Sequence, residues 1–293
     1  MAIIPPFFMD AVVALGVEKP DGKKHWIGTG FLVGRKEADD PSELTVYVIT
    51  NKHVVKNQRM LYVRFSNDGT EGVTDLPMQL LDKDGTVRFS AHPSPEVDVV
   101  AIQIIPKVIV DNNLRLSCFE LDSHALMLSQ MQRTGVDEGS LVYALGFPMN
   151  LVSDSVKAPI CRLGCISRVA DAFLAPQSAT AFLVDAQAFP GNSGGPIVSR
   201  PEHISIENTP QNTSSNLVGI LSAFIPYQEV LISQQTGKKR MVQEENSGLT
   251  IVHPVDRINE VVELEWARVE THLKSRGAVK LQLPVESKEP ALV

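Results

Sequence analysis

Short hydrophobic segments separated by turn residues set the tightest limit on how this chain can fold. In the first half they cover residues 10–18, 25–33, 44–50, 60–65, 76–82 and 97–105. Asp-Gly pairs at Asp21-Gly22, Asp68-Gly69 and Asp84-Gly85 lie between them, and such pairs are typical of β-hairpins. Because long helical patterns are scarce, we expect an antiparallel sheet closed into a barrel.

A second series of such segments follows a looser connecting region at 113–138. Its members cover residues 140–147, 158–169, 181–186, 197–199, 217–224 and 249–252. The connecting region contains a stretch rich in Met, Gln and Ser that could form a helical turn. We therefore predict an all-β fold of two antiparallel six-stranded β-barrels.

The end of the chain has a helical pattern. Pro254 suits the first turn of a helix, and apolar residues then recur at helical intervals from Val255 to Leu273. We predict a C-terminal α-helix packed on the second barrel. The predicted divisions are an N-terminal barrel (8–112), a linker (113–138), a C-terminal barrel (139–253), the helix (254–275) and a tail (276–293).

Composition narrows the classes of function. The 293 residues carry 27 Lys plus Arg against 34 Asp plus Glu, a net charge of −7 that argues against nucleic acid as a partner. Membrane insertion is not expected, because no apolar run approaches the roughly 18 residues that a spanning helix needs. The N-terminus lacks the pattern of a signal peptide, and only three cysteines occur, so we expect a cytoplasmic protein. No His or Cys cluster indicates a metal site, and no cofactor is expected.

One stretch, Phe189-Pro190-Gly191-Asn192-Ser193-Gly194-Gly195-Pro196, crowds three glycines around a single serine. Glycine gathers where φ must be positive or where a side chain has no room. Around a serine, such a backbone could expose Oγ and direct N–H groups toward one point, where they could hold the oxyanion of an attacked carbonyl. An ordinary surface turn is the alternative.

A serine hydroxyl needs a neighbouring base to become a nucleophile. His53 follows the strand-like run Val46–Thr50 at the point where the pattern changes to a turn, which would place an imidazole at a barrel rim. Asp98 is a lone acid next to the apolar run Val99–Ile102, and pairing with His53 would offset the cost of burying it.

Three motifs in this order resemble those of the trypsin/chymotrypsin-fold serine proteases: Thr50-Asn51-Lys52-His53-Val54, Asp98-Val99-Val100-Ala101-Ile102 and Gly191-Asn192-Ser193-Gly194-Gly195-Pro196. The similarity is greatest to the HtrA/Deg-type bacterial branch. Gly28-Thr29-Gly30-Phe31, Leu145-Gly146-Phe147-Pro148 and His253-Pro254-Val255 also resemble segments of that branch. The resemblance spans roughly residues 10–273 and implies the chymotrypsin-like fold and a protein or peptide substrate.

By this resemblance, Ser193 attacks the peptide carbonyl, His53 transfers the proton and Asp98 holds the imidazole. The backbone N–H groups of Gly191, Asn192 and Ser193 would form the oxyanion hole.

The specificity pocket would be formed by Gln187, Ser222, Ala223 and Phe224. Gln187 stands six residues before the serine, where trypsin-like members place the acid that selects Lys or Arg. Because Gln187 is neutral and Phe224 is bulky, the expected preference is for small or medium aliphatic residues.

Two departures from the family pattern affect regulation. Digestive members have an aspartate before the serine, which binds a newly cut N-terminus, whereas this chain has the uncharged Asn192. Activation by N-terminal insertion is therefore not expected. HtrA-type enzymes usually carry a PDZ domain after the protease, and too few residues follow Leu273 for one here.

Other interpretations compete with this one. Gly191-Asn192-Ser193-Gly194-Gly195 also fits the nucleophile elbow of α/β-hydrolases, but that fold needs a helix directly after the serine, where Pro196 and Ile197-Val198 favour a strand. A non-catalytic peptide-binding module is a further alternative. Polar inserts at 200–216 and 228–247 are candidates for a regulatory partner or for oligomer contacts, or else inert surface loops.

Overall fold

The first half of the protein is one antiparallel sheet with a short parallel addition. The computed structural model describes residues 4–37, 43–202 and 210–276, the last four by backbone alone. The strands of this half are β1 (Val12–Glu18), β2 (Lys24–Lys36), β3 (Leu44–Thr50), β4 (Met60–Ser66), β5 (Val73–Gln79), β6 (Ser90–Ala91), β7 (Val100–Gln103) and β8 (Phe119–Glu120). They run in the order β5-β4-β1-β2-β3-β7-β6, and β8 pairs with β2 in parallel.

This sheet has eight strands, where six were predicted for the first barrel. The two extra strands, β6 and β8, are only two residues long, too short to produce a hydrophobic pattern in the sequence. An isolated bridge between Leu81 and Val87 connects the segment after β5 to the segment before β6. The two ends of the strand path therefore approach each other.

The second half is a closed six-stranded barrel, as predicted. Its strands are β9 (Leu141–Gly146), β10 (Ile160–Arg168), β11 (Phe182–Asp185), β12 (Pro196–Ser199), β13 (Leu217–Ile232) and β14 (Lys239–Pro254). They close in the order β10-β11-β14-β13-β12-β9. The all-β prediction with two antiparallel units is confirmed in this form.

The helices are short except for the last one. They are α1 (Pro6–Ala11), α2 (Lys52–Val55), α3 (Pro106–Asp111), α4 (Leu128–Thr134), α5 (Ala170–Leu174) and α6 (Val255–Arg276). The predicted C-terminal helix is confirmed as α6, but it packs against β6 and β7 of the first half as well as against β13 and β14 of the second barrel. Residues 10 and 11, predicted as strand, lie in α1 because Pro6 starts a helical turn that buries Phe8. No helix in the described ranges combines the length and the apolar character that a membrane span requires.

Strand alternation divides the core into three parts. Val13 and Leu15 of β1 point into the first half, while Val12 and Ala14 point toward the second half. A separate cluster, which includes Val142 and Ile166, fills the closed barrel. The shared middle cluster also takes up the apolar face of α6, so the two halves and the helix bury one continuous surface, and their junction is where the site lies.

The structure corrects the interpretation of one polar insert. Residues 228–247 were predicted as a loop, but β13 and β14 continue through them as a paired β-hairpin, turning at 233–238. The prediction failed because both faces of the hairpin are exposed, so its polar residues do not alternate with a buried set. The other insert, 200–216, has a bridge between Glu202 and Asn212 at its base, and residues 203–209 lie outside the described part.

Candidate active site

His53 and Asp98 meet at the junction between the two halves. β3 ends at Thr50 and α2 carries His53, while Asp98 stands just before β7, the neighbour of β3 in the sheet. His53 Nδ1 lies 2.5 Å from Asp98 Oδ2, and the His53 backbone N–H donates to Asp98 Oδ1 at 3.1 Å. The imidazole is 48% exposed and the carboxyl 23%, so the pair sits at the rim with its base open to a ligand.

The environment keeps Asp98 ionised. Burial alone would raise the pKa of the carboxyl, but hydrogen bonds and charge from His53 outweigh it, and Ser222 Oγ donates a further bond at 3.0 Å. The pKa of Asp98 therefore lies below its usual value. A carboxylate at Nδ1 requires the imidazole to carry its proton there, which leaves Nε2 as the free base.

A second histidine supports Asp98 from beneath. Nε2 of the buried His253 accepts the Asp98 backbone N–H at 3.0 Å, and its Nδ1 lies 2.7 Å from the carbonyl of Thr180. A carbonyl can only accept, so Nδ1 carries the proton and Nε2 is the acceptor. Burial lowers the pKa of His253, which favours this neutral form. In the sequence, His253 belongs to the family-like segment His253-Pro254-Val255, but no local pattern indicates this supporting role.

The loop around Ser193 depends on two glycines with positive φ. Gly191 has φ +97°, and a Cβ there would lie 2.3 Å from the carbonyl oxygen of Phe147. Gly194 has φ +85°, and a Cβ there would lie 2.1 Å from the carbonyl oxygen of Thr29. Glycine is thus required on both sides of the serine for conformation and for space. β12 follows the loop, so the helix that a nucleophile elbow needs is absent here and the α/β-hydrolase alternative is excluded.

Two backbone N–H groups beside Ser193 are left free by the way the loop is held. The Pro190 carbonyl accepts from Met149 N at 2.6 Å, and the Asn192 carbonyl accepts from Gly195 N at 2.9 Å. In a trans peptide the N–H points away from the carbonyl, so the N–H groups of Gly191 and Ser193 face the other way. Within the described ranges neither group donates to an acceptor.

Asn192 does not have the free backbone N–H that was predicted for it as part of the oxyanion hole. Its backbone N–H donates to the Phe189 carbonyl at 2.9 Å, so it is not a free donor for an oxyanion. Its side chain is buried, and Oδ1 accepts from Phe189 N at 3.2 Å. Asn192 therefore closes the turn with an uncharged side chain.

Thr29, buried in β2, ties the serine loop to the first sheet. Its backbone N–H donates to the Ser193 carbonyl at 2.9 Å, and its hydroxyl donates to the Gly191 carbonyl at 2.6 Å. The same hydroxyl accepts from Phe147 N at 3.0 Å. Thr29 was not predicted as a positioning residue. The signal for it in the sequence is the pair of glycines, Gly28 and Gly30, on either side of a small hydroxyl side chain.

Ser193 and His53 line the same cavity, of about 440 Å³. The Ser193 hydroxyl donates to the Ser222 carbonyl at 3.3 Å. Ser193 and His53 both lie in the described part of the chain, and no hydrogen bond joins their side chains. A larger recess of about 680 Å³ lies on the other side of His53.

The cavity beside Ser193 has mainly apolar walls. The predicted Ser222, Ala223 and Phe224 line it, whereas Gln187 is exposed and lies outside the lining. The other apolar wall residues are Ala188, Phe189, Pro190 and Leu221. Residues 187 and 188 alternate in direction as in a strand, and Ala188 takes the inward position.

Comparison with known proteins identifies the family. The trypsin-like peptidase domain model matches residues 28–203, more than half of the chain, which includes His53, Asp98 and Ser193. The chain belongs to the trypsin-like peptidase family, and it is a serine protease.

Among solved structures the chain is similar to neuropsin, a serine protease expressed in the limbic system of mouse brain. The two share 16% identity over 89% of this chain and 96% of neuropsin, with a TM-score of 0.44. Among curated proteins, none matches the chain at a significant level.

Proposed function

We propose that this protein is a serine endopeptidase that works through a triad of His53, Asp98 and Ser193. The observation that carries the proposal is the 2.5 Å contact between His53 Nδ1 and Asp98 Oδ2 at the edge of the cavity that exposes Ser193. The free N–H groups of Gly191 and Ser193 support the same proposal, because they would serve as the oxyanion hole.

The reaction would proceed in two halves. Ser193 Oγ attacks the peptide carbonyl while His53 Nε2 takes its proton, and the oxygen that becomes negative is held by the two N–H groups. The C–N bond then breaks as His53 returns the proton to the leaving amine, which gives an acyl-enzyme. Water repeats the sequence through His53 and releases the acid and free Ser193. Asp98 keeps the proton on Nδ1 and stabilises the imidazolium in both halves.

We propose that the residue before the cleaved bond is a small or medium aliphatic one. The described lining beside Ser193 contains no carboxylate to pair with Lys or Arg. Its walls are mainly apolar, and the bulky side chains of Phe189 and Phe224 narrow the cavity. An aliphatic side chain would bury its surface there, whereas a cation would lose hydration without a partner.

We also propose that this protein belongs to the HtrA/Deg-type branch of the family and is located in the cytoplasm. Similarity of the Gly28–Phe31 and Leu145–Pro148 motifs supports the HtrA/Deg-type branch. A cytoplasmic location agrees with Cys118, Cys161 and Cys165, all of which are free thiols. Protein or peptide chains remain the proposed partners at the site.

Covalent labelling tests the proposal without a known substrate. A fluorophosphonate probe reacts only with an activated serine, so it should label the wild-type protein once, at Ser193, as located by peptide mass spectrometry. Ser193→Ala should abolish labelling and reduce cleavage of unfolded casein on the order of 10⁴- to 10⁶-fold. His53→Ala should do the same while leaving Ser193 in place.

Ser129→Ala, on the far helix α4, is the matched control and should label as the wild type does. Equal labelling of wild type and Ser193→Ala would refute the assignment. A folded wild-type protein that neither reacts with the probe nor cleaves casein would instead favour a peptide-binding module.

A further inference from the structure

The hairpin formed by β13 and β14 extends far beyond the barrel that it helps to close. Pairing continues from Pro226 opposite Asn246 to Ile232 opposite Lys239, which at about 3.3 Å per residue gives a ribbon roughly 20 Å long. Residues 226–232 and 234–245 are all exposed. The described part of the chain therefore covers neither face of the ribbon.

The ribbon has three zones along its length. The stem near the barrel is acidic, with Glu229, Glu244 and Glu245, and the tip is basic, with Lys238, Lys239 and Arg240. The zone between them is apolar and exposed: Val230 (40%), Leu231 (49%), Ile232 (60%), Met241 (53%) and Val242 (48%).

Pairing places apolar side chains on both faces of the ribbon. Val230 lies opposite Val242 on one face, and Leu231 lies opposite Met241 on the other. A two-stranded ribbon of this kind is only marginally stable in water by itself, and exposed apolar patches on a soluble protein usually mark contact surfaces.

The charges of the stem and the tip are unpaired within the subunit. Across the ranges that the structure describes, none of the six side chains forms an ion pair. Two stem carboxylates accept only from amides: Glu244 from Gln228 at 2.7 Å and Glu245 from Gln243 at 3.0 Å. Three cations at one end and three anions at the other make the ribbon complementary to its own reversed copy.

We propose that the hairpin is a homodimer interface in which two copies of this chain pair their ribbons antiparallel about a two-fold axis. Reversal sets each basic tip against the acidic stem of the other copy and brings the two apolar zones together. A two-fold axis uses the same surface twice, so both tip-to-stem contacts form at once. The interface requires no catalytic group and stands independently of the proposed protease activity.

Charge reversal tests the pairing. A tip variant (Lys238→Glu, Lys239→Glu, Arg240→Glu) and a stem variant (Glu229→Lys, Glu244→Lys, Glu245→Lys) each place like charges in both contacts. Sedimentation velocity of the full chain over a concentration series should show a monomer–dimer equilibrium for wild type, and a dissociation constant at least about tenfold higher for each variant at low salt.

An equimolar mixture of the two variants gives the sharpest result. Every tip-to-stem contact between them is attractive again, so the mixture should form heterodimers although neither variant dimerises well alone. This rescue also shows that both variants are folded. Leu231→Asp with Val242→Asp should abolish dimers by charging the apolar zone on both faces.

A matched control reverses three exposed cations elsewhere, Lys19→Glu, Lys83→Glu and Lys107→Glu, and should dimerise like the wild type. The proposal is overturned if the wild type stays monomeric or forms an assembly without two-fold pairing. It is also overturned if the tip and stem variants dimerise as the wild type does, or if their mixture fails to form heterodimers.

Discussion

The backbone N–H of Asp98 donates a 3.0 Å hydrogen bond to Nε2 of His253, a buried imidazole in the last strand of the second barrel. Asp98 belongs to the first half of the protein and His253 to the second. The bond therefore links the residue that carries the carboxylate beside His53 to β14 of the second barrel.

Removing the acceptor at His253 should lower catalysis through Asp98. His253→Leu leaves the Asp98 N–H without a partner, and we expect kcat to fall about 10- to 100-fold. KM should change little, because His253 does not line the cavity beside Ser193. His253→Gln keeps an uncharged acceptor and should retain most of the activity. Equal kcat in wild type and His253→Leu would show that the bond has no role in positioning Asp98.

His253 should also make the free energy of unfolding depend on pH. The pKa of His253 is lowered in the folded protein by burial, whereas the unfolded chain has a pKa of about 6.5. The unfolded state therefore binds more protons as the pH falls below about 6.5, and the free energy of unfolding decreases there until the folded pKa is passed.

His253→Gln removes this contribution. Urea unfolding of both proteins should give a smaller loss of stability for His253→Gln between neutral and mildly acidic pH. The lowered pKa of Asp98 acts in a separate range, below its unfolded value of about 3.9. A wild-type curve parallel to that of His253→Gln would show that His253 is not held neutral.

Replacing Gly191 should reduce activity by more than the backbone strain of a positive φ would explain. Gly191→Ala brings a Cβ to 2.3 Å from the Phe147 carbonyl oxygen, so the loop must move and the Gly191 N–H with it. We expect a loss on the order of 10²- to 10³-fold in kcat, as for removal of an oxyanion donor. The rates of fluorophosphonate labelling and of peptide hydrolysis by Gly191→Ala, compared with the wild type, measure this loss.

Gly22→Ala is the matched control for Gly191→Ala. Gly22 has φ +75° with nothing within 4 Å of a built Cβ, so this change introduces backbone strain alone. It should lower stability by about 1 kcal/mol and leave kcat unchanged. Full activity in Gly191→Ala would contradict the assignment of this N–H to the oxyanion hole.

Phe224 should set the size of the residue accepted before the cleaved bond. Phe224→Ala enlarges the cavity beside Ser193, and the ratio of kcat/KM for Leu- or Phe-containing peptides over Ala-containing ones should rise about 10-fold or more. Gln187→Ala should leave the ratio unchanged, because Gln187 is exposed and outside the cavity. An effect of Gln187 instead of Phe224 would place the pocket elsewhere.

The sequence was most informative where local rules apply. Gly191 and Gly194 stand where positive φ and close backbone approach exclude a side chain, and that requirement is visible in the sequence itself. His53 and Asp98 were found because each borders a hydrophobic strand. Gln187 was assigned by counting back from Ser193, and counting does not show which way a side chain points.

Hydrophobic periodicity and short motifs in the sequence were enough to locate most of the barrel strands, the C-terminal helix and the three candidate catalytic residues, but they missed the two-residue strands β6 and β8. Only the tertiary structure showed that His253 lies beneath Asp98, since 155 residues separate them along the chain. It also showed that residues 228–247 form a paired ribbon, because backbone pairing between two exposed strands leaves no hydrophobic pattern. Contacts between distant segments follow from how the two halves pack, and local patterns do not encode that packing.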